Sequence, residues 1–310
     1  MELTDVIHAT DQDLNSFKAD IFIAATGYEK RSTRIPELYT NSDAEKIVIS
    51  SLEYKNDLSR KENDLYFKKC GFRFVNASML KAPDFKLILG EQINDGVKIL
   101  IDITSMPGIW YHSFFNYVLQ QRLSKHIEIR ATYVPSAFQP PSRPGKKIQL
   151  KESPKIIDQN IRKKKDKNTA LIMGLGSEKS ICNKIYEIIQ PDLTHLLYAD
   201  PATDVKYVEK VLVNNHTVIS KTPIRNLNSY PLYNSKMIYD FLIDLIMPLR
   251  LDMQVIIVPM GPKIFTLMAV LIQLSYPDIE VHYPQYKLKP LRDRNGTGYP
   301  MMVDLLFSVY

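Results

Sequence analysis

Two short runs of this chain carry the residue types from which an anion-binding turn is built: Gly27-Tyr28-Glu29-Lys30 and Gly176-Ser177-Glu178-Lys179. Both have the form Gly-x-Glu-Lys. Each follows an apolar strand candidate, Ile21 to Thr26 in the first case and Ala170 to Leu175 in the second. A glycine after a strand lets the backbone approach a ligand closely, and the helix start beyond it offers unpaired N–H groups and the positive end of a dipole. Lys30, Arg31 and Arg34 add mobile positive charge to the first run, and Lys179 and Lys263 to the second. A phosphate-bearing ligand is the guest such turns would take. The same glycines also suit a tight strand-to-helix turn with no ligand. Glu29 and Glu178 add nothing to an anion site. As ribose-hydroxyl acceptors or general bases they are the candidate catalytic residues; as first-turn helix residues they would serve the dipole or a capping box.

A second pair of runs lines up further on: Asp102-Ile103-Thr104-Ser105-Met106-Pro107 with Ile257-Val258-Pro259-Met260-Gly261-Pro262. Proline has no N–H and a preset φ, so it suits a first helical turn, with Thr104 or Ser105 as cap in the first run and Gly261 in the second. Asp102 would bind ribose or support the turn. Its counterpart is Ile257, which excludes a symmetric catalytic role for it.

These matched runs belong to a repeat of domain size. Each half alternates β-branched runs with amphipathic stretches, the pattern of a mostly parallel sheet with helices on both faces. Strands are expected near 20–26, 46–51, 72–76, 97–103 and 127–134, and again near 169–175, 194–200, 216–220, 253–259 and 278–283. Helices are expected around 66–70 and over 107–123, 179–189, 205–213, 235–248 and 262–274. The expected fold is α/β, two tandem Rossmann-like doubly wound sheets from an internal duplication. Domain 1 would span 1–138, a basic proline-containing linker 139–168, and domain 2 169–310. Asn295-Gly296 is a hairpin signal, so the apolar end, Met301 to Tyr310, is expected to return as an extra strand at the edge of the second sheet. In the doubly wound order the first and fourth strands flank the ligand crevice, and both pairs of matched runs fall there.

Composition narrows the function classes. With 310 residues, 45% hydrophobic and 24% charged, the chain has room for two cores. The net charge of +6 suggests nucleic acid until it is located. Between Arg143 and Lys167 stand ten Lys/Arg against three acids, so the remainder sums to about −1. That segment also holds Pro140, Pro141, Pro144, Gly145 and Pro154 nearby, and reads as a solvated linker in preference to a nucleic-acid contact, because no interleaved aromatics accompany it. Cys70 and Cys182 build no disulfide framework, and the six histidines have no metal-ligand spacing, so neither metal nor cofactor is expected. His112, after Trp110-Tyr111, reads as a packed or surface histidine. Residues 1–17 do not form a secretory signal and the run from Ile264 to Tyr276 is too short to span a bilayer, so a cytoplasmic address with no membrane partner is expected. No P-loop motif occurs. Gly174-Leu175-Gly176, with Asp200 beyond it, imitates a dinucleotide fingerprint, but Lys179 replaces its third glycine.

The run Ile99-Leu100-Ile101-Asp102-Ile103-Thr104-Ser105 resembles the fourth-strand signature of CARF domains, Rossmann-like sensors in which an Asp-x-Thr turn precedes a helix. Two such units in one chain are similar to the SAVED arrangement, whose paired CARF-like units bind cyclic oligonucleotides made in antiviral signalling. Family members commonly carry glycines after the threonine, where this chain has Ser105-Met106-Pro107. The resemblance implies ligand-facing positions at Gly27, Glu29, Lys30, Thr104 and Ser105, with Gly176, Glu178, Lys179, Gly261 and Lys263 as partners. It also implies either signalling to a separate effector protein or degradation of the messenger. The expected function is a nucleotide-binding sensor or regulatory subunit in bacterial antiviral defence. The alternatives are a hydrolase of a nucleotide or nucleoside bond using Glu29 or Glu178, and a protein-binding scaffold.

Overall fold

The structure is a computed structural model that describes residues 1–9, 14–41, 43–79, 81–90, 92–121, 126–141, 143–144, 149–152, 167–285 and 288–308. Its strands are β1 (Glu2–Ala9), β2 (Ile21–Thr26), β3 (Glu45–Ser51), β4 (Arg73–Ala77), β5 (Lys98–Asp102), β6 (Ile127–Tyr133), β7 (Arg143–Pro144), β8 (Gln149–Glu152), β9 (Thr169–Gly174), β10 (Leu193–Ala199), β11 (Leu227–Tyr230), β12 (Gln254–Pro259), β13 (Glu280–Gln285), β14 (Leu288–Lys289) and β15 (Met301–Ser308). Its helices are α1 (Arg34–Leu38), α2 (Arg60–Lys69), α3 (Phe85–Leu89), α4 (Gly108–Leu119), α5 (Ile181–Ile189), α6 (Val205–Asn214), α7 (His216–Ile219), α8 (Ser235–Asp252) and α9 (Lys263–Ser275). The chain divides into two compact units, residues 1–137 with 292–310, and residues 138–291.

In the first unit the sheet runs β1-β15-β6-β5-β2-β3-β4, and in the second β11-β10-β9-β12-β13-β8. Stripped of β1, β15 and β8, which pair antiparallel, each is five parallel strands with the first of the five in chain order central and the fourth beside it. The winding reverses between β2 and β5 in one unit and between β9 and β12 in the other, so both are doubly wound α/β sheets. Central parallel strands are covered on both faces and read as unbroken apolar runs. Accordingly, every residue of Ile21–Thr26 is buried. The helix after each fourth strand is similarly immersed: Trp110, Tyr111, Phe114 and Phe115 of α4 are buried, as are Ile264 to Leu274 of α9. A helix apolar around most of its circumference belongs inside a core. Among the described residues, no helix is long and apolar enough to cross a membrane.

Several expectations need correction. The C-terminal strand β15 joins the first sheet, between β1 and β6, and not the edge of the second. Asp304 stands opposite Arg130 in that pairing, and the two make a bidentate ion pair at 2.6 and 2.6 Å under the Phe17 ring. Strand β13 carries no Lys or Arg and so offers Asp304 no such pairing. Asn295-Gly296 forms no hairpin; it runs beside Ser136 and Ala137 as a continuation of the β6–β15 pairing. The first unit therefore ends at 137 and resumes at 292, and the second ends at 291. Residues 216–220 begin with the short helix α7, not a strand, and the third strand is Leu227–Tyr230. His-Thr-Val-Ile-Ser has strand composition, yet five residues are too few for composition to separate strand from helix. Strand β1 has no counterpart in the sequence reading. Of the basic linker, residues 143–144 and 149–152 are β7 and β8, the latter paired with β13, and residues 145–148 and 153–166 lie outside the described residues. Finally, the helix-start prolines are themselves N-caps, at φ −61, ψ 148 for Pro107 and φ −57, ψ 151 for Pro262, so Thr104, Ser105 and Gly261 do not cap.

Candidate functional site

In each unit the turn after the first strand packs against the turn after the fourth. A Cβ built on Gly27 would lie 2.7 Å from Ser105 Oγ and 2.9 Å from its Cβ; one built on Gly176 would lie 2.4 Å from the Met260 carbonyl oxygen. Ser105 and Met260 are equivalent positions of the matched runs, so the two glycines answer the same demand, close approach of neighbouring turns. Each turn is also held by an asparagine that the sequence reading missed. Asn63, on α2, donates its amide N–H groups to the carbonyls of Gly27 and Glu29, both at 2.9 Å. Asn215, after α6, donates to the Gly176 carbonyl at 2.7 Å and to Val211 at 2.8 Å. An asparagine in or beside a helix is unfavourable unless its side chain bonds elsewhere, and that is the signal that could have found both. Asn63→Ala and Asn215→Ala should each lower stability by about 1–3 kcal/mol, since a buried carbonyl loses its donor. Chemical denaturation checks this, and a loss in only one of the two would break the equivalence of the turns.

In the first unit, the candidate residues come together in a network already closed. The Gly27 N–H donates to Ser32 Oγ at 2.9 Å. Arg31 is not the mobile cation the sequence suggested: it is buried, donates from Nε to Glu29 at 2.6 Å and from Nη1 to the Val134 carbonyl at 2.6 Å, and lies over the Tyr133 ring. Burial opposes its charge, but Glu29 and Tyr133 outweigh burial and raise its pKa above the ordinary arginine value. Glu29 is shared with a second guanidinium, Arg294, at 3.6 Å. Lys30 is exposed, and its backbone N–H donates to Asp293 at 2.7 Å. Burial, reinforced by Glu29, pushes the neighbouring Tyr28 phenol up to about 12. At the end of β5, Asp102 is buried and accepts the Thr104 N–H at 2.9 Å, and the Thr104 hydroxyl, bonded to Asp102, accepts the Val134 N–H at 3.0 Å. Asp102 and Thr104 thus shape the turn. At the end of β3, the fully buried Arg60 reaches Asp64 at 2.9 Å, Ser50 Oγ at 2.7 Å and the Ser51 carbonyl at 3.0 Å.

The second unit places the same positions in different company. Glu178 is buried and its carboxylate lies beside Gly176. The Cys182 thiol is buried below this turn, and burial pushes it up to about 12, with the Gly176 N–H opposing the rise. Lys179 and Ser180 are exposed, and Ser180 adopts the left-handed region at φ 66, which a residue with a side chain seldom enters unless its surroundings demand it. The backbone N–H groups of Ser177, Lys179 and Ser180 have no protein partner among the described residues. Across the crevice, Gly261 lies beside Tyr230 and the Leu175 carbonyl, and Lys263 is the first residue of α9, half-exposed. At the end of β10, Asp200 is exposed, where the first unit has Ser51 above the buried Arg60. Asp293, Arg294 and Ser32 were missed by the sequence reading, because they act through long-range pairing or through a hydroxyl with no pattern of its own.

No family model matches the chain, and no curated protein matches it in sequence.

Proposed function

We propose that the protein binds a phosphate-bearing nucleotide in the crevice of its second unit and acts as a sensor or regulatory subunit. The observation that carries this reading is the turn after β9, which keeps the N–H groups of Ser177, Lys179 and Ser180 without a protein partner among the described residues, beside the exposed Lys179 and ahead of α5. Backbone donors and a dipole end at the switch point of a doubly wound sheet suit a phosphate. Asp200, at the end of the next strand, stands where such sheets present an acid to a ribose hydroxyl. Lys263 would add a second cation from the α9 side. The resemblance to CARF and SAVED proteins makes cyclic oligonucleotides the first ligands to try and a bacterial antiviral response the setting to test, with a separate effector as partner.

Thermal-shift screening with nucleoside mono-, di- and cyclic phosphates tests the reading. A ligand present at about a hundredfold over its Kd adds roughly 2.7 kcal/mol of stability. Lys179→Ala should weaken binding about 10- to 100-fold, the worth of one charged hydrogen bond, without unfolding the chain. Unchanged affinity in that variant would sink it. A second reading, hydrolysis of a nucleotide bond, rests on Glu178, whose carboxylate lies beside Gly176 in the turn after β9. A Glu178→Gln chain that still binds but no longer turns over would favour the enzyme.

A further inference from the structure

The crevice of the first unit has the same topology as that of the second, and yet of the backbone donors equivalent to Ser177, Lys179 and Ser180 two, those of Lys30 and Arg31, are taken. Arg31 N–H donates to the Arg294 carbonyl at 3.3 Å and Ser32 N–H to the Glu29 carbonyl at 3.0 Å. The two oxygens of the Asp293 carboxylate reach the Lys30 N–H at 2.7 Å and the Ser59 hydroxyl at 2.6 Å, Ser59 being the residue that precedes α2. We infer that the segment Arg292–Gly298 is a built-in plug: Asp293 stands in for an anion at the end of the first sheet, and the chain itself closes this crevice to phosphate.

Three features make the plug permanent. Its anchor is β15, which is paired on both sides, to β6 and to β1. Between Asp293 and that strand, the Thr297 N–H donates to the Pro135 carbonyl at 2.8 Å, and the Ala137 N–H to the Asn295 carbonyl at 3.0 Å. Gly296 lies so flat on the first unit that a Cβ there would stand 2.6 Å from Val134 Cγ1 and 3.3 Å from the Arg31 Cβ. A carboxylate tethered this way has an effective concentration at least in the millimolar range, which free phosphate must exceed to displace it. The charge agrees. Arg31 and Arg294 are both committed to Glu29, so little of the positive charge that the sequence assigns to a phosphate here remains available for one. The inference holds whether or not the second unit binds a nucleotide.

The test is chemical rescue in the full chain. Asp293→Ala empties the carboxylate position, and its Tm should fall by roughly 5 °C, a few degrees per lost hydrogen bond. Adding sodium formate at constant ionic strength should restore part of that fall, and should move neither the wild-type chain nor Asp293→Asn, whose side chain still fills the space. An Asp293→Ala chain as stable as wild type, or a formate response shared by all three, would overturn the inference. If Asp293→Ala does not fold, amide hydrogen exchange at Lys30 in the wild-type chain reads the same contact. Slow exchange is expected there, and exchange as fast as that of an open loop would overturn the inference.

Discussion

Gly176→Ala is expected to destabilise the second unit by about 3 kcal/mol, and Gly27→Ala the first by about 1 kcal/mol, although both insert the same methyl group at equivalent positions. The difference lies in what the methyl meets. At Gly176 it meets a main-chain oxygen, Met260 O at 2.4 Å, which cannot move without carrying the turn between β12 and α9 with it. At Gly27 it meets Ser105 Oγ at 2.7 Å, which can rotate away, and Ser105 Cβ at 2.9 Å, a lesser overlap that a small shift of the turn between β5 and α4 relieves. Neither glycine has a positive φ, so the effect is one of space alone. Calorimetry on the two single variants should resolve two unfolding responses of unequal size; equal losses would mean that the turns relax in ways their neighbours do not suggest.

Arg60→Ala should cost about 3 kcal/mol, the low end of the range for removing one member of a buried ion pair, because the Asp64 carboxylate left behind is partly open to water. The guanidinium joins Asp64 on its own helix to Ser50, to the Ser51 carbonyl and, at 3.3 Å, to the Glu53 carbonyl, and so ties α2 to the end of β3. Asp64 in turn accepts from Thr26 at 2.6 Å at the end of β2, so the loss reaches the first strand as well. Arg60→Met keeps the stem and should recover part of the loss. A cost below about 0.5 kcal/mol in urea denaturation would show that the network is solvated and carries nothing.

Much of this architecture was legible in the residues. Apolar runs such as Ile21–Thr26 and Gln254–Pro259 declare themselves as central parallel strands because both their faces are covered, and the paired prolines mark two equivalent helix starts because the ring restricts φ. What escaped is what depends on partners distant in sequence. Met301–Ser308 has the pattern of a strand, but its partners, β6 with Arg130 opposite Asp304 and β1, are more than a hundred residues away and leave no local mark. Glu29 and Arg31 looked like ligand groups until their mutual pairing and Arg294 were in view. The candidate site was legible as position and not as state. Gly-x-Glu-Lys marked the turn after the first strand of each parallel set, but nothing local in Asp293 says that its carboxylate reaches one of these turns.

Native mass spectrometry of the full chain with a nucleotide found in the thermal-shift screen tests the central claim most directly, since it counts ligands per chain. The expected result is one nucleotide per chain in the wild type and in Lys30→Ala, and markedly reduced occupancy in Lys179→Ala. Two nucleotides per chain, or loss of binding in Lys30→Ala with retention in Lys179→Ala, would contradict it.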